Sequence, residues 1–342
     1  MPEHVVSLAQ IHEARPVVAS RVHRTPMLSS ATAARFIEAA TGATLADGRL
    51  YLKAEHLQKT GSFKPRGMTW KIASLTADER RRGIITLSAG NAAQAYAWAG
   101  AAAGVPVTVV MPAAAVRSKV DACLGYGAEV ILHGSDVGEA LLEMERVRDA
   151  RGLSYCHPFN DPFVIAGHGS IGLEVLDDLP EVDVVVVGVG GGGLISGVAA
   201  ALKESRPAVR VYGVEPERSN AMSLALERGE VVRVQPVSVA DGLGAPFAGE
   251  WTLAMGQRYL DGIVLLDDPT ILAGMRFAAE RLKQVLEPAG AAALAALLAG
   301  RIPLRPGDKV VALASGGNVE VGRIGELFAA AAPLPGTPRP PA

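Results

Sequence analysis

Val184-Val185-Val186-Val187 runs into Gly188-Val189-Gly190-Gly191-Gly192-Gly193 and then into Leu194-Ile195-Ser196-Gly197-Val198-Ala199-Ala200-Ala201-Leu202-Lys203. A continuous β-branched run, a glycine turn and an alanine-rich stretch read as buried strand, turn and helix. Consecutive glycines let successive backbone N–H groups converge on an anion, and the helix start adds its positive dipole end. A ligand-free turn fits poorly, because each glycine costs chain entropy on ordering. The same segment supports a second reading. Gly188, Gly190 and Gly193 satisfy G-x-G-x-x-G after a strand, and Glu215 ends the next apolar run, 209–214. That is about the twenty-residue interval of a ribose-binding acid in NAD-binding units. Its position in mid-chain and Pro216 directly after the acid weigh against a dinucleotide.

Outward from this unit, apolar runs at 49–52, 84–87, 107–111, 129–132, 209–214 and 310–314 alternate with helical stretches. The alternation predicts an α/β fold. Two of the runs border chemically pointed segments, and a third such segment follows the run 49–52 at a short distance. Gly61-Ser62-Phe63-Lys64-Pro65-Arg66-Gly67 sets a lysine beside an aromatic ring. Desolvation there would lower its pKa, and a neutral amine is what condenses with a carbonyl. Ser88-Ala89-Gly90-Asn91-Ala92-Ala93-Gln94 follows a strand and opens a helix, offering a hydroxyl, backbone N–H groups and an amide to a carboxylate. From these residues alone an ordinary N-cap at Ser88 or Asn91 is the better reading. Ser315-Gly316-Gly317-Asn318 again empties a strand into small residues, with Ser315 either bonding a heteroaromatic nitrogen or capping backbone.

Taken in order, Ser62-Phe63-Lys64, Ser88-Ala89-Gly90-Asn91, Gly190 to Gly193 and Ser315-Gly316-Gly317-Asn318 resemble the fold-type II pyridoxal-phosphate enzymes. The likeness is to the threonine/serine dehydratase and serine racemase branch and runs from about Ile11 to Leu327. It implies a tryptophan synthase β-like architecture of two open twisted-sheet domains with pyridoxal 5′-phosphate between them. Residues 1–82 and 158–328 would form the large domain, 83–157 the small one, and 329–342 a disordered tail. The resemblance makes Lys64 the Schiff-base lysine and catalytic residue, with Phe63 beside the cofactor and Asn91 on the ring hydroxyl. Gly190, Gly191, Gly192, Gly193 and Leu194 would hold the phosphate, and Ser315 would face the pyridine nitrogen. Ser88, Ala89, Gly90, Asn91, Ala92 and Gly242 would meet the substrate, and Glu287 in Glu287-Pro288-Ala289-Gly290 is a further acid of the expected site.

The implied reaction is β-elimination from L-threonine or L-serine, giving 2-oxobutanoate or pyruvate and ammonia. Racemases of the branch carry a serine where this chain has Ala89, which favours elimination. The histidine usual after the loop asparagine is replaced by Ala92, and the racemase-type metal site keeps Glu215 but has Ala221 for its second acid. One carboxylate holds a hard cation weakly, so no metal is expected. Serine racemase and 3-hydroxyaspartate ammonia-lyase are the alternatives within the cofactor class. An NAD-dependent oxidoreductase or a cofactor-free binding protein stands outside it.

Composition narrows the remaining classes. The 342 residues suffice for two α/β domains, and a net charge of −2 argues against nucleic acid or an anionic membrane as partner. No window reaches the roughly eighteen apolar residues of a membrane span, and the N-terminus has no targeting pattern. Cys123 and Cys156 form no C-x-x-C pair, and two cysteines suit a reducing compartment, so a cytoplasmic protein is expected. The seven histidines show no metal-ligand spacing. His168, in Ala166-Gly167-His168-Gly169-Ser170, is expected to be a satisfied histidine at a helix start. By resemblance the partner is an amino-acid substrate and the assembly a homodimer.

Overall fold

The computed structural model describes residues 4–335. Among them, ten strands form two sheets. The strands are β1 (Met27–Ser30), β2 (Leu50–Lys53), β3 (Ile84–Leu87), β4 (Val107–Met111), β5 (Glu129–Leu132), β6 (Ser154–Tyr155), β7 (Val184–Gly188), β8 (Arg210–Pro216), β9 (Gly262–Leu266) and β10 (Val310–Leu313). The six-stranded sheet has the order β1-β2-β10-β7-β8-β9, parallel except for the antiparallel edge pair β1 and β2. The four-stranded sheet, β5-β4-β3-β6, is wholly parallel and is built from residues 84 to 155. The chain thus starts in the larger sheet, crosses to the smaller, and returns. All seven apolar runs named from the sequence are strands here, while β1, β6 and β9 are additional.

Parallel strands buried on both faces need apolar side chains in both directions. Val184 and Val186 face one core with Val310 and Ala312; Val185 and Val187 face the other with Val311 and Leu313. The helix Pro288–Leu298 is buried along its entire length, which explains why it is alanine and leucine all round. No helix among the described residues is long and apolar enough to cross a membrane. The expected disordered tail needs correction over its first part. Ala329 closes the helix Ile324–Ala329, Ala332 donates its N–H to Pro269 O at 2.9 Å, and Ala331 and Leu334 pack on the larger core. Proline-rich chain can still cover apolar surface, and here it does. Residues 336–342 lie outside the described residues.

One polar cluster ties the chain segments around Lys64 together. Arg66 is fully buried, donating from Nε and Nη2 to Glu55 at 2.8 Å each and from Nη1 and Nη2 to Glu174 at 2.7 and 2.9 Å. Lys53, also fully buried, reaches Glu174 at 2.7 Å and the Thr25 carbonyl at 2.7 Å. Burial alone would lower the Arg66 pKa, but Glu55 and Glu174 outweigh it and hold the guanidinium charged. Removing one partner leaves an uncompensated buried charge. Replacing Glu174 with Ala is therefore expected to cost about 3–5 kcal/mol, read as a lowered denaturant midpoint with an unchanged slope.

Candidate active site

Five loops leave the carboxyl ends of strands, where α/β sheets receive ligands, and meet around one cavity of about 320 Å³. After β2 comes the loop that carries Phe63 and Lys64, and after β3 the loop of Ser88, Ala89, Gly90, Asn91 and Ala92. After β7 comes the run Gly190, Gly191, Gly192, Gly193 and Leu194; after β8, by way of a helix, the turn with Asp241 and Gly242; after β10, Ser315. Glu287 lines the same cavity from the residue before the helix Pro288–Leu298. Every residue singled out for the site from the sequence borders this space.

Lys64 sits at the N-cap of the helix Pro65–Ala73, with proline as first helical residue, where its missing N–H costs nothing. Its Nζ donates to Pro158 O at 3.1 Å and lies 5.1 Å from the centre of the Phe63 ring. Burial drives its pKa down to about 8, against a smaller opposing pull from Glu287. The loop is pinned from the other side of the site. Phe63 donates its N–H to Ser315 O at 3.0 Å, Gly317 donates to Gly61 O at 2.9 Å, and Ser62 forms a bridge with Gly316.

Within the glycine run, Gly192 is the N-cap of the helix Gly193–Ser205, at φ +87°, a conformation that glycine adopts freely. No side chain caps this helix end, and first-turn N–H groups have no partner within the helix. Gly191 and Gly193 have a second reason to be glycine. A Cβ on Gly191 would lie 2.4 Å from the Phe159 ring, and one on Gly193 would lie 2.8 Å from Phe159 O. Phe159 and Pro158, together with Lys119, Asp241 and Val137 at the cavity wall, extend the set predicted from sequence. Of these, only Asp241 adjoins a residue expected at the site from the sequence, Gly242.

Asn91 belongs to the smaller sheet's loop yet bonds only to the larger sheet's side. Its Nδ2 donates to Glu287 Oε1 at 2.7 Å, and its Oδ1 accepts from Asn318 Nδ2 at 2.8 Å. One amide hydrogen of Asn91 is left for a ligand. Ser88 does not cap the helix Asn91–Ala103; Gly90 holds that place, and Ser88 Oγ accepts the Gly90 N–H at 3.2 Å. Glu287 is buried, and its pKa is pushed up to about 7, by desolvation first and by Asp241 second, with Asn91 and the two lysines pulling against them. Glu215, the candidate ribose acid, lies elsewhere. Both its oxygens accept backbone N–H groups, from Met222 at 2.8 Å and Ser223 at 2.9 Å. His168 is not at a helix start but in the middle of Pro162–Asp178.

The donor set fits the cofactor implied by the resemblance. An amine of lowered pKa, an uncapped helix start behind four glycines, the Ser315 side chain and a spare Asn91 N–H share one cavity. Such a set meets an aldehyde, a phosphate and a heteroaromatic ring in turn. Comparison with known proteins agrees. The family model described as pyridoxal-phosphate dependent enzyme matches residues 19–316. An L-threonine ammonia-lyase of Thermotoga maritima is 42% identical over 325 residues, 95% of this chain and 78% of that protein. The structure of maize serine racemase superposes with a TM-score of 0.88 at 32% identity, covering 95% of this chain and 97% of that one. The processed threonine deaminase isoform 2 of Solanum lycopersicum gives a TM-score of 0.85 at 33% identity, covering 95% and 87%. With most of its length matched by that family model, the chain belongs to the family of pyridoxal-phosphate-dependent enzymes.

Proposed function

We propose that this chain is an ammonia-lyase that removes the β-hydroxyl and the amino group of L-threonine, and of L-serine, releasing 2-oxobutanoate or pyruvate and ammonia. The observation that carries the reading is the Lys64 amine, with its pKa near 8, opening on the same cavity as an uncapped glycine-rich helix start. The relatives named for threonine add the substrate class. When bound, pyridoxal phosphate supplies the electron sink that makes the substrate Cα proton removable.

The chain's own groups then have separable tasks. Lys64 anchors the cofactor and, once free, accepts the Cα proton at Nζ; a pKa near 8 keeps a useful share neutral at working pH without making the amine a feeble base. Gly190 to Gly193 and Leu194 would hold the phosphate through backbone N–H groups, with Phe63 beside the ring and Ser315 available to the ring nitrogen. Asn91, oriented by Glu287 and Asn318, would give its remaining N–H to the ring hydroxyl. The loop of Ser88, Ala89, Gly90, Asn91 and Ala92, with Gly242 opposite, receives the substrate carboxylate and excludes water around it. Ala89 offers no proton, so the face opposite Lys64 has no second base there, which favours elimination over racemisation. The reading includes two domains divided near residues 83 and 157, a homodimer and a cytoplasmic setting.

The purified protein with pyridoxal phosphate should show a visible absorption band that shifts on adding L-threonine while 2-oxobutanoate accumulates. A band that responds to L-serine by forming D-serine and no keto acid would move the assignment to a racemase. Replacing Lys64 with Ala should abolish the band and slow keto-acid release by at least about 10²- to 10⁴-fold, the share of proton transfer alone. Wild-type turnover in that variant would sink the role given to Lys64.

A pH test follows from the amine. Cofactor capture by protein stripped of cofactor needs the neutral form, so its rate should rise about tenfold per pH unit below the Lys64 pKa and level off above about 8. An ordinary lysine would keep gaining up to about pH 10.4, and a profile of that kind would remove the claim that Lys64 is activated by burial.

A further inference from the structure

His168 is fully buried midway along the helix Pro162–Asp178 and borders no part of the cavity, yet it touches the chain on both sides of Lys64. Its Nδ1 accepts the backbone N–H of Gly67 at 3.1 Å. Its ring meets the Phe63 ring edge-on, with centres 4.7 Å apart. We infer that His168 is a positioning residue for Lys64, capping from a neighbouring helix the helix that Lys64 begins, and bracing Phe63 with the same ring. The inference rests on the proposed role of Lys64 as cofactor anchor.

The cap is needed because this helix end has little else. Lys64 occupies the N-cap without a side-chain cap bond, and Pro65 has no N–H to satisfy. Arg66 donates its N–H to Phe63 O at 3.1 Å, which leaves Gly67 as a first-turn donor pointing at His168. The approach is too close for any other residue at 67. A Cβ there would lie 2.5 Å from His168 Cε1 and 2.7 Å from Val164 O. Gly167 meets the same contact from the opposite helix, where a Cβ would lie 2.6 Å from Arg66 O.

A backbone N–H can only donate, so Nδ1 must be unprotonated and the proton of the neutral ring sits on Nε2. That Nε2 is buried with no hydrogen-bond partner among the described residues. An inert packing residue would gain from being apolar here, because an unsatisfied buried N–H costs free energy. The histidine keeps that cost in exchange for the acceptor on its other nitrogen. Desolvation, followed by the charges of Lys64 and Arg66, holds its pKa well below the usual range, which favours the neutral ring that the acceptor requires.

Two substitutions separate the acceptor from the packing. In His168→Asn, Oδ1 takes the place of Nδ1 on Cγ; in His168→Leu, a methyl group does. Both variants and wild type are stripped of cofactor and given pyridoxal phosphate, and growth of the visible band gives the capture rate. His168→Leu should capture about tenfold more slowly, the effect of one misplaced hydrogen bond, while His168→Asn stays close to wild type. Equal rates for Leu and wild type, or an Asn variant as slow as Leu, would overturn the inference. Should the Leu variant fail to fold, nitrogen-15 NMR of labelled histidine in the wild-type protein decides the matter. A neutral ring protonated on Nε2 is expected, and a ring protonated on Nδ1 rules the cap out. Failure of wild type to capture pyridoxal phosphate at all would remove the Lys64 reading instead, and the tautomer would still judge His168.

Discussion

The bidentate grip of Arg66 on Glu55 and Glu174 is the interaction on which the site depends. It joins three stretches of chain: the turn after β2, the helix that begins at Lys64, and the helix Pro162–Asp178. With Lys53 on Glu174, two cations and two carboxylates balance inside the protein. Burial alone would raise the Glu174 pKa, and the hydrogen bonds and charge of Arg66, with Lys53, more than reverse it. Such a cluster adds little net stability over an apolar core, but no member can leave it cheaply. It therefore fixes where the first turn of the Lys64 helix sits, and His168 and the paired Gly67 and Gly167 fit into the space that remains.

The chemistry depends on a second consequence of burial. Between the two sheets, desolvation disfavours charge of either sign, so the Lys64 pKa falls to about 8 while that of Glu287 climbs to about 7. An amine and an acid that are far apart in pKa in water meet near neutrality, the condition under which both can exchange protons. Asn91 ties this pair to the fold. It reaches from the smaller sheet's loop to Glu287 and Asn318, and Asn318 in turn donates to Thr60 O at 2.7 Å, beside the lysine loop. Neither sheet alone holds a complete site.

The glycine loop and the two serine loops were legible because each places small or polar residues directly after an apolar run, and the lysine loop because it sets Lys64 beside Phe63 and ahead of Pro65. That pattern is a property of strand ends and survives without knowledge of the partner strands. What stayed hidden depends on tertiary contact. β1 is a short antiparallel edge and β6 has two residues, so neither carries the two-sided apolar pattern of a central strand, whereas β9 is a continuous apolar run, Ile263 to Leu266, with no chemically pointed segment after it. Phe159 fills space that Gly191 and Gly193 leave open, a complementarity between residues more than thirty positions apart. His168 read as a satisfied histidine at a helix start because its partner, Gly67, lies about a hundred residues away.

Glu215 shows how one sequence pattern can serve two physical ends. After G-x-G-x-x-G and a second strand, an acid at the end of β8 is where a dinucleotide-binding unit would meet a ribose hydroxyl. Here both carboxylate oxygens are spent on the N–H groups of Met222 and Ser223, at the start of the helix Ala221–Arg228. Met222 lies directly against Gly192, whose Cβ, if it had one, would sit 2.3 Å from Met222 Cε. The acid thus holds in place the helix that backs the glycine run. Desolvation pushes its pKa up to about 7 even against two backbone donors, which is the signature of a carboxyl enclosed by protein rather than one presented to a solvated sugar. The fingerprint constrains only glycines and spacing, and the direction in which the acid points decides between the two uses.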